Sequence, residues 1–540
     1  MPVVRFCSIL PTASNRAAVP LLVSRFLEAV VVAAALLTAC WWFTRLELHA
    51  TFWGFPLDDS WIHLQFASNI ASGQGFSYNA GIPVAGSTAP LWTLVLALPA
   101  RLGLDPVASA KGLGIALTLA AALLAGRLAE WLTSSRAAGF FTALVLAVSP
   151  RLVWGALSGM EVSLYALLGV WAVLSYLRAL ETGAPWWGLL VGLAGAARPE
   201  VFVLFPILAT DWTVRAARRQ LVSTSASRWV APLLLFAIPA AAFVALNLYT
   251  SGHPLPLTFY AKSYGMGTVP SLMEGRWHDA WVDAWRYPQQ FFYLLLTWTE
   301  TEYPDLGLGA LVGAAALTGV FGDRPQRRGA YLLVVILVAA PVIKALGAPQ
   351  PPLLVHEGRY LFHLLILFLV VAVAGLMELH TRLKWKAIVP LYCLVSLIRM
   401  GGALSYEAPR YASKVKNIND LEVATGHWIQ RETSKDARIA TNDIGAIAFF
   451  SKRFIVDTEG LVTAEAIHPK RMRRFVPFLE SQRPDLLVIF PEWYPEIAAR
   501  TDLFHEIYRV HAHQDSAGAP HLVIYRTPWT RTGAVPRFVP

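Results

Sequence analysis

The chain has 540 residues, of which 56% are hydrophobic and only 15% are charged, and its mean hydropathy is +0.48. So little charge cannot coat a soluble protein of this length, which excludes a purely soluble class and requires lipid to cover part of the surface. The net charge of +10 comes from basic residues in short clusters between apolar stretches. This pattern is typical of topology signals in a membrane protein and argues against a nucleic-acid partner.

Several apolar stretches approach the roughly 17 to 25 residues that a spanning helix needs. They cover residues 27–44, 107–126, 162–177, 229–249, 330–343 and 360–377. The tail 1–26 carries arginines and no acid, so we expect it in the cytoplasm. If the later basic loops are also cytoplasmic, the sequence predicts eleven spans across a bacterial inner membrane. The N-terminus is then cytoplasmic and the C-terminus lies on the outer side.

This topology predicts a short hairpin over 186–212, two large outer loops at 45–106 and 250–305, and a last span over 386–400. The apolar segments 88–102 and 289–299 are then expected to lie at the outer interface instead of crossing.

Residues 27–400 are therefore predicted to form an all-α membrane domain, and residues 401–540 a small α/β domain on the outer face. In the second domain a helix is expected near 419–433. Short β-type runs follow at 438–440, 454–456, 485–490 and 521–525.

The unusual polar residues beside apolar segments all fall on the predicted outer side. They are Asp58, Asp59, Glu161, Arg198, Glu200, Tyr260, Lys262, His356 and Arg359. Ionisable groups at this depth are costly unless they serve a site, so their convergence predicts an active site at the outer interface.

Paired carboxylates and clustered cations suggest one type of chemistry. One carboxylate can act as general base on an acceptor hydroxyl while the other holds substrate. Cationic side chains, here Arg198, Lys262 and Arg359, stabilise a phosphate leaving group. Because nucleotide-activated sugars are not supplied outside the cell, the predicted donor is a polyprenyl-phosphate sugar whose lipid tail lies among the spans.

Five motifs in order resemble the GT-C superfamily of polyprenyl-phosphate-sugar-dependent glycosyltransferases, nearest to the arabinofuranosyltransferases of the mycobacterial cell-wall type. They are Pro56-Leu57-Asp58-Asp59-Ser60-Trp61-Ile62-His63, Gly86-Ser87-Thr88-Ala89-Pro90-Leu91-Trp92, Ala197-Arg198-Pro199-Glu200, the run from Pro254 to Tyr260-Ala261-Lys262, and Gly358-Arg359-Tyr360. A fainter likeness continues through Asn442-Asp443-Ile444-Gly445-Ala446 and Asp457-Thr458-Glu459-Gly460-Leu461.

The resemblance implies an inverting glycosyltransferase that moves a sugar, with arabinofuranose as the candidate, to a hydroxyl of an envelope glycan, lipid or protein. It assigns the base to Asp58 or Asp59, with Asp58 preferred because the first acid of such pairs usually has this role. No metal or other cofactor is expected, since the sequence lacks a second Asp-x-Asp pair.

Each site residue also has a structural interpretation. Asp58-Asp59 and Glu161 could favour helix N-termini, Arg198 and Glu200 could stabilise the hairpin as an ion pair, and the other cations could reach lipid headgroups. The alternative functions are a lipid-linked-sugar transporter or flippase and a non-catalytic scaffold that binds glycan.

Overall fold

The computed structural model describes residues 13–50, 52–218, 227–263, 268–286, 288–289, 325–347, 355–382, 384, 386–471, 474–512 and 519–535. The first part of the chain is helical. Its helices are α1 (Ala13–Ala50), α2 (Asp59–Ala71), α3 (Pro90–Arg101), α4 (Pro106–Thr133), α5 (Arg136–Ala147), α6 (Pro150–Leu157), α7 (Val162–Thr182), α8 (Trp186–Ala197), α9 (Leu204–Ala217), α10 (Ser227–Ser251), α11 (Leu257–Ser263), α12 (Thr268–Met273), α13 (Pro325–Gly347), α14 (Phe362–Arg382) and α15 (Ile388–Ile418).

Six helices in the described ranges are long and apolar enough to cross a membrane, and the bent pair α5 and α6 makes a seventh candidate. The six contain Val23–His49, Pro106–Thr133, Val162–Thr182, Val230–Ser251, Gly358–Met377 and Val389–Glu432. The chain is thus a multi-pass membrane protein. The eleven predicted spans are supported only to this number.

The other predicted spans correspond to shorter helices or to residues outside the described ranges. The hairpin region forms two short helices, α8 and α9, joined by a 3₁₀ turn at Pro199–Val203. The apolar part of α13 covers Gly329–Ile343. The interfacial segment 88–102 is a helix, α3, whereas the segment 289–299 lies outside the described residues except for its first residue.

The apolar surface of several spans faces outward. On α10, Leu233, Leu234 and Ile238 are exposed, and on α13 the side chains of Val335 and Val338 are exposed. Apolar side chains continuous along a helix face are not tolerated in water on this scale, so lipid covers these faces.

The last membrane helix does not end where its apolar sequence ends. Helix α15 continues through a π turn at Asn419–Val423 into α16 (Ala424–Glu432), so the span and the predicted outer helix form one unbroken helical run. The sequence predicts the last span over 386–400 and a separate helix near 419–433. The polarity of the side chains reflects whether lipid or water surrounds the helix, whereas the backbone remains helical from one environment to the other.

The C-terminal region is a small mixed α/β domain. Its strands are β1 (Arg438–Thr441), β2 (Phe454–Asp457), β3 (Leu486–Ile489), β4 (His505–His511) and β5 (His521–Arg526), and its short helices are α17 (Gly445–Ser451), α18 (Ile467–Arg471), α19 (Phe475–Gln482) and α20 (Pro495–Ala498). The strand order is β2-β1-β3-β5-β4, with β1 parallel to β2 and β3, and β5 antiparallel to β3 and β4.

Four strands lie where the sequence predicted β-type runs, and β4 is the strand it missed. Every residue of β3 is buried, whereas β4 lies at the sheet edge and consists only of exposed and half-buried residues. An edge strand rich in charge lacks the apolar signal that identifies a buried strand.

Candidate active site

The first outer loop is held against the turn between α6 and α7. The Ser60 hydroxyl donates to the Ser158 carbonyl at 2.6 Å, and the Trp92 indole donates to the Gly159 carbonyl at 3.0 Å. Gly159 has a φ of +75° and packs against the Phe55 ring so closely that an added Cβ would lie 2.4 Å from it. The turn therefore requires glycine, and it fixes the start of α2 beside the start of α7.

A cavity of about 410 Å³ opens beside this loop, within the range of small-molecule sites. Its charged wall residues are Asp59, Arg198, Glu200, Lys262 and Arg359. The rest of its wall is largely apolar and includes Ile62, Met160, Val203, Leu255, Phe259, Ile343 and Leu461. Residues far apart in the sequence thus bring five of the predicted site residues to one cavity.

Arg359 is the most unusual group in the wall. Its side chain is buried, and its Nη2 donates to the Asp59 carboxylate. Its Nε and Nη1 are also buried, and within the described part of the chain they have no hydrogen-bond partner. Buried guanidinium donors without partners are costly, so this side of Arg359 needs an acceptor that the described residues do not supply.

Arg198 belongs to a second charged group at the hairpin turn. It pairs with Glu161, which is fully buried, and its Nε lies 3.3 Å from Glu200 Oε2. Its guanidinium also lies 4.4 Å from the centre of the Tyr360 ring. Glu161 thus lies behind Arg198 instead of facing the cavity, and it orients that arginine.

Asp58 has a different environment from its neighbour and is not part of the cavity wall. Its two carboxylate oxygens accept the backbone N–H groups of Gly445 and Ala446 at 2.6 and 2.7 Å. Burial raises the pKa of Asp58 to about 6, and the nearby Asp59 charge adds to this, although the two amide hydrogen bonds oppose it. The cavity wall thus contains Asp59 and not Asp58, whereas the motif resemblance had favoured Asp58 as the base.

Two further predicted residues are not among the described wall residues. The Tyr260 ring packs against His253 at 4.9 Å between centroids and is not a wall residue. The His356 side chain lies outside the described part of the structure.

The C-terminal domain packs against the first outer loop and contributes to the cavity wall. The Tyr78 hydroxyl donates to the Ile444 carbonyl at 2.7 Å, and Asn79 exchanges hydrogen bonds with the backbone of Ile455 at 2.8 and 2.9 Å. The Trp61 ring packs on Phe449 and Phe450. This junction brings Leu461 of the outer domain into the cavity wall.

Comparisons with known proteins agree with this architecture. The chain is similar to ArnT from Cupriavidus metallidurans bound to undecaprenyl phosphate, with a TM-score of 0.53 and 12% identity over 94% of this chain and 99% of that one. It is also similar to the apo form of the Archaeoglobus fulgidus oligosaccharyltransferase, with a TM-score of 0.57 and 11% identity over 91% of this chain and 76% of that one.

The chain has a GT-C-type fold. At these identities the likeness concerns the fold alone. The arabinofuranosyltransferase AftD from Mycobacteria also matches, but with a TM-score of 0.49 and 14% identity, over 92% of this chain and 41% of that one. The nearness to arabinofuranosyltransferases predicted from the motifs is not confirmed by these comparisons.

Sequence comparisons add little to this GT-C-type fold. The model of a domain of unknown function, DUF8728, matches residues 411–529, which cover the end of α15 and most of the outer domain. No curated protein matches the chain.

The motifs contained two wall residues that were not recognised as site residues. His63 and Tyr360 both line the cavity. His63 follows Asp59 by four residues, and this spacing places both side chains on one face of α2, which is the signal that could have identified it.

In the described ranges, no group of three or more histidine, cysteine or acidic side chains could hold a metal ion.

Proposed function

We propose that this protein transfers a sugar from a polyprenyl-phosphate donor to a hydroxyl group of a cell-envelope acceptor, with inversion at the anomeric carbon. The reaction takes place on the outer face of the bacterial inner membrane, in the cavity between the spans and the C-terminal domain.

The observation that carries the proposal is the Arg359–Asp59 pair. Arg359 binds the carboxylate through one nitrogen and directs two unpaired donors, Nε and Nη1, elsewhere within the wall. Nε and Nη1 donate from different edges of the guanidinium, so each can form a separate charge-assisted hydrogen bond to an anionic oxygen. One side chain can therefore hold the leaving phosphate and orient the base beside it.

In the proposed step Asp59 is the general base and Asp58 is not. The acceptor hydroxyl loses its proton to the Asp59 carboxylate while its oxygen forms a bond to the anomeric carbon. The bond between that carbon and the phosphate oxygen breaks, and the electron pair leaves with the lipid phosphate. Arg359, supported by Arg198 and Lys262, stabilises the charge that develops on this phosphate.

The apolar wall supports a donor with a lipid tail. Ile343 lines the cavity and is also 39% exposed on α13, whose neighbouring apolar side chains face lipid. A polyprenyl chain could leave the cavity along this helix without crossing a polar surface. The similar ArnT structure contains undecaprenyl phosphate, which is consistent with such a donor.

Arabinofuranose remains the candidate sugar, on the motif resemblance alone. The acceptor is proposed to be a hydroxyl of an envelope glycan, lipid or protein.

A donor screen tests the proposal. Purified full-length protein is incubated with several polyprenyl-phosphate sugars and an envelope extract as acceptor source, and the release of polyprenyl phosphate is measured. We expect release with at least one donor and its loss in Arg359→Gln. Donor that moves across the membrane of a vesicle without being consumed would indicate a transporter. Donor that is neither bound nor consumed would indicate a scaffold.

A further inference from the structure

Tyr165 in α7 is fully buried, and the proposed reaction gives it no role. Its hydroxyl donates to the Arg359 carbonyl and accepts the Phe362 N–H at 3.1 Å. The two partners lie 194 and 197 residues further along the chain. The side chain thus ties the start of α7 to the segment that carries Arg359.

The two partners of the Tyr165 hydroxyl lie where one kind of helix changes into another. A 3₁₀ helix over Val355–Leu361 ends there, and α14 begins at Phe362. In a regular 3₁₀ turn, a carbonyl and an N–H three residues apart bond each other directly. Here the Tyr165 hydroxyl bridges those two groups. The conformation of this turn therefore depends on a contact from another helix.

This turn determines where the Arg359 side chain begins. The side chain is buried, and at its far end Nη2 donates to Asp59. At its near end, Tyr165 holds the main-chain carbonyl of the same residue. A guanidinium fixed at both ends keeps Nε and Nη1, which have no partner among the described residues, in one orientation. Little side-chain entropy is then lost when an anion binds.

The ring of Tyr165 has different neighbours from its hydroxyl. The Arg198 guanidinium lies 5.9 Å from the centre of this ring and 4.4 Å from the centre of the Tyr360 ring, within the range of cation–π attraction. The ring also meets His363 edge to face, with centroids 5.5 Å apart. A substitution that removes the hydroxyl and keeps the ring therefore acts on the Arg359 turn and leaves the contact with Arg198 in place.

We infer that Tyr165 is a positioning residue whose hydroxyl sets the turn that directs the Arg359 guanidinium towards the donor phosphate. The inference rests on the proposed function, since the orientation of Arg359 matters for activity only if an anion binds there. Tyr165 is not among the described wall residues of the cavity, so it acts through Arg359.

Tyr165→Phe tests this role, because it removes the hydroxyl and keeps the ring. Full-length protein is placed in lipid nanodiscs, and dissociation constants are measured for polyprenyl phosphate and for the polyprenol of the same chain length. The two probes differ only in the phosphate. The ratio of their dissociation constants therefore reports phosphate recognition separately from binding of the lipid tail.

We expect Tyr165→Phe to weaken the binding of polyprenyl phosphate about 10- to 100-fold, as for the loss of one hydrogen bond to a charged group. Polyprenol binding should be unchanged. Equal weakening for both probes would indicate a general packing effect and overturn the inference, as would wild-type affinity for both.

Tyr176→Phe is the matched control for loss of stability. Tyr176 lies further along the same helix, is also fully buried, and its hydroxyl donates to Asp211 at 2.6 Å. Neither residue is among the described wall residues. This variant should lower the melting temperature at least as much as Tyr165→Phe, yet bind polyprenyl phosphate like wild type. If it loses as much phosphate affinity as Tyr165→Phe, the effect is one of stability and the inference fails.

Gly358→Ala changes the same turn and leaves the Tyr165 hydroxyl in place. Gly358 has a φ of +68°, where an L side chain is strained, so the turn must shift. The same selective loss of polyprenyl-phosphate binding is expected, which keeps the inference testable even if Tyr165→Phe does not fold. Wild-type affinity in a folded Gly358→Ala protein would contradict control of Arg359 by this turn.

The same two probes separate this inference from the proposed function. If wild type prefers polyprenyl phosphate to polyprenol and Arg359→Gln loses that preference, the phosphate site stands and the Tyr165 variant tests the inference alone. If wild type shows no preference, the proposed phosphate site fails and the role of Tyr165 fails with it.

Discussion

Two adjacent residues of the first outer loop belong to two very different polar regions. Asp59 lies in the cavity wall, where its partner Arg359 has two buried donors without a hydrogen-bond partner in the described structure. Asp58 lies at the junction with the outer domain, where both carboxylate oxygens accept backbone N–H groups. Among the described residues, the first region leaves two buried donors unpaired, whereas the second satisfies both carboxylate oxygens within the protein.

This difference separates binding groups from structural ones. A structural polar contact satisfies its members within the fold, because an unsatisfied buried group is costly. A binding site must instead keep donors unpaired until its ligand arrives. Charge alone does not distinguish Asp58 from Asp59, since both are carboxylates at the start of one helix.

The largest expected effect comes from substituting the two acids one at a time. Asp59→Asn should lower the rate of lipid-phosphate release by about 10²–10⁴-fold, because a general base contributes on this scale. Asp58→Asn is the matched control. It should keep the rate within about tenfold of wild type and lower the melting temperature instead, because an amide nitrogen cannot accept one of the two N–H groups. The reverse order of the two rates would assign the base to Asp58.

A second variant sharpens the role of the unpaired donors. Arg359→Gln should reduce turnover by about 10²–10³-fold, comparable to removing an oxyanion donor. Arg359→Lys keeps the charge but not the planar set of guanidinium donors, so it should recover only part of the loss. Single-turnover kinetics with bound donor measures both. Full recovery by lysine would show that charge alone is sufficient.

The junction is expected to respond to shape more than to charge. A Cβ added to Gly445 would lie 2.1 Å from the Asp58 carbonyl oxygen and 2.8 Å from its carboxylate oxygens. Gly445→Ala should therefore destabilise the outer domain by about 1–3 kcal/mol, seen as faster proteolysis of that domain. Gly402→Ala in α15 is the control, because nothing lies within 4 Å of its added Cβ. Equal proteolysis of both variants would contradict the observed packing.

The smallest expected effect is a pH dependence of the outer domain. Asp457 accepts the N–H groups of Glu459 and Val462 at 2.7 and 2.8 Å, yet burial raises its pKa to about 7 from 3.8. An acid whose pKa is higher in the folded state binds more protons there than when unfolded, so stability falls as pH rises from about 4 to about 7. Asp58, with its pKa near 6, acts in the same direction.

Melting temperatures at pH 5 and pH 8 test this dependence. The wild-type protein should melt lower at pH 8, and Asp457→Asn should reduce the difference because it cannot ionise. Asp502→Asn changes an exposed acid of the same domain and should leave the difference in place. A wild-type protein that melts higher at pH 8 would contradict the sign.

The amino-acid sequence by itself determined the class of protein and the parts of its site that depend on local pattern. Long apolar stretches predict spans because lipid requires every backbone polar group to be satisfied within the segment. The buried strands β1, β2, β3 and β5 were likewise predictable from their apolar runs. The charged residues at the outer ends of these segments identified five of the wall residues.

The tertiary structure alone decided which of the two aspartates, Asp58 or Asp59, faces the cavity, and that His63 lies in the cavity wall between Ser87 and Glu161. Asp58 is distant in sequence from Gly445, as His63 is from Ser87 and Glu161. Only the packed chain therefore determines which neighbours each side chain meets. The continuous helix from α15 to α16 was hidden for a related reason, because hydropathy follows the solvent along a segment and not its backbone conformation.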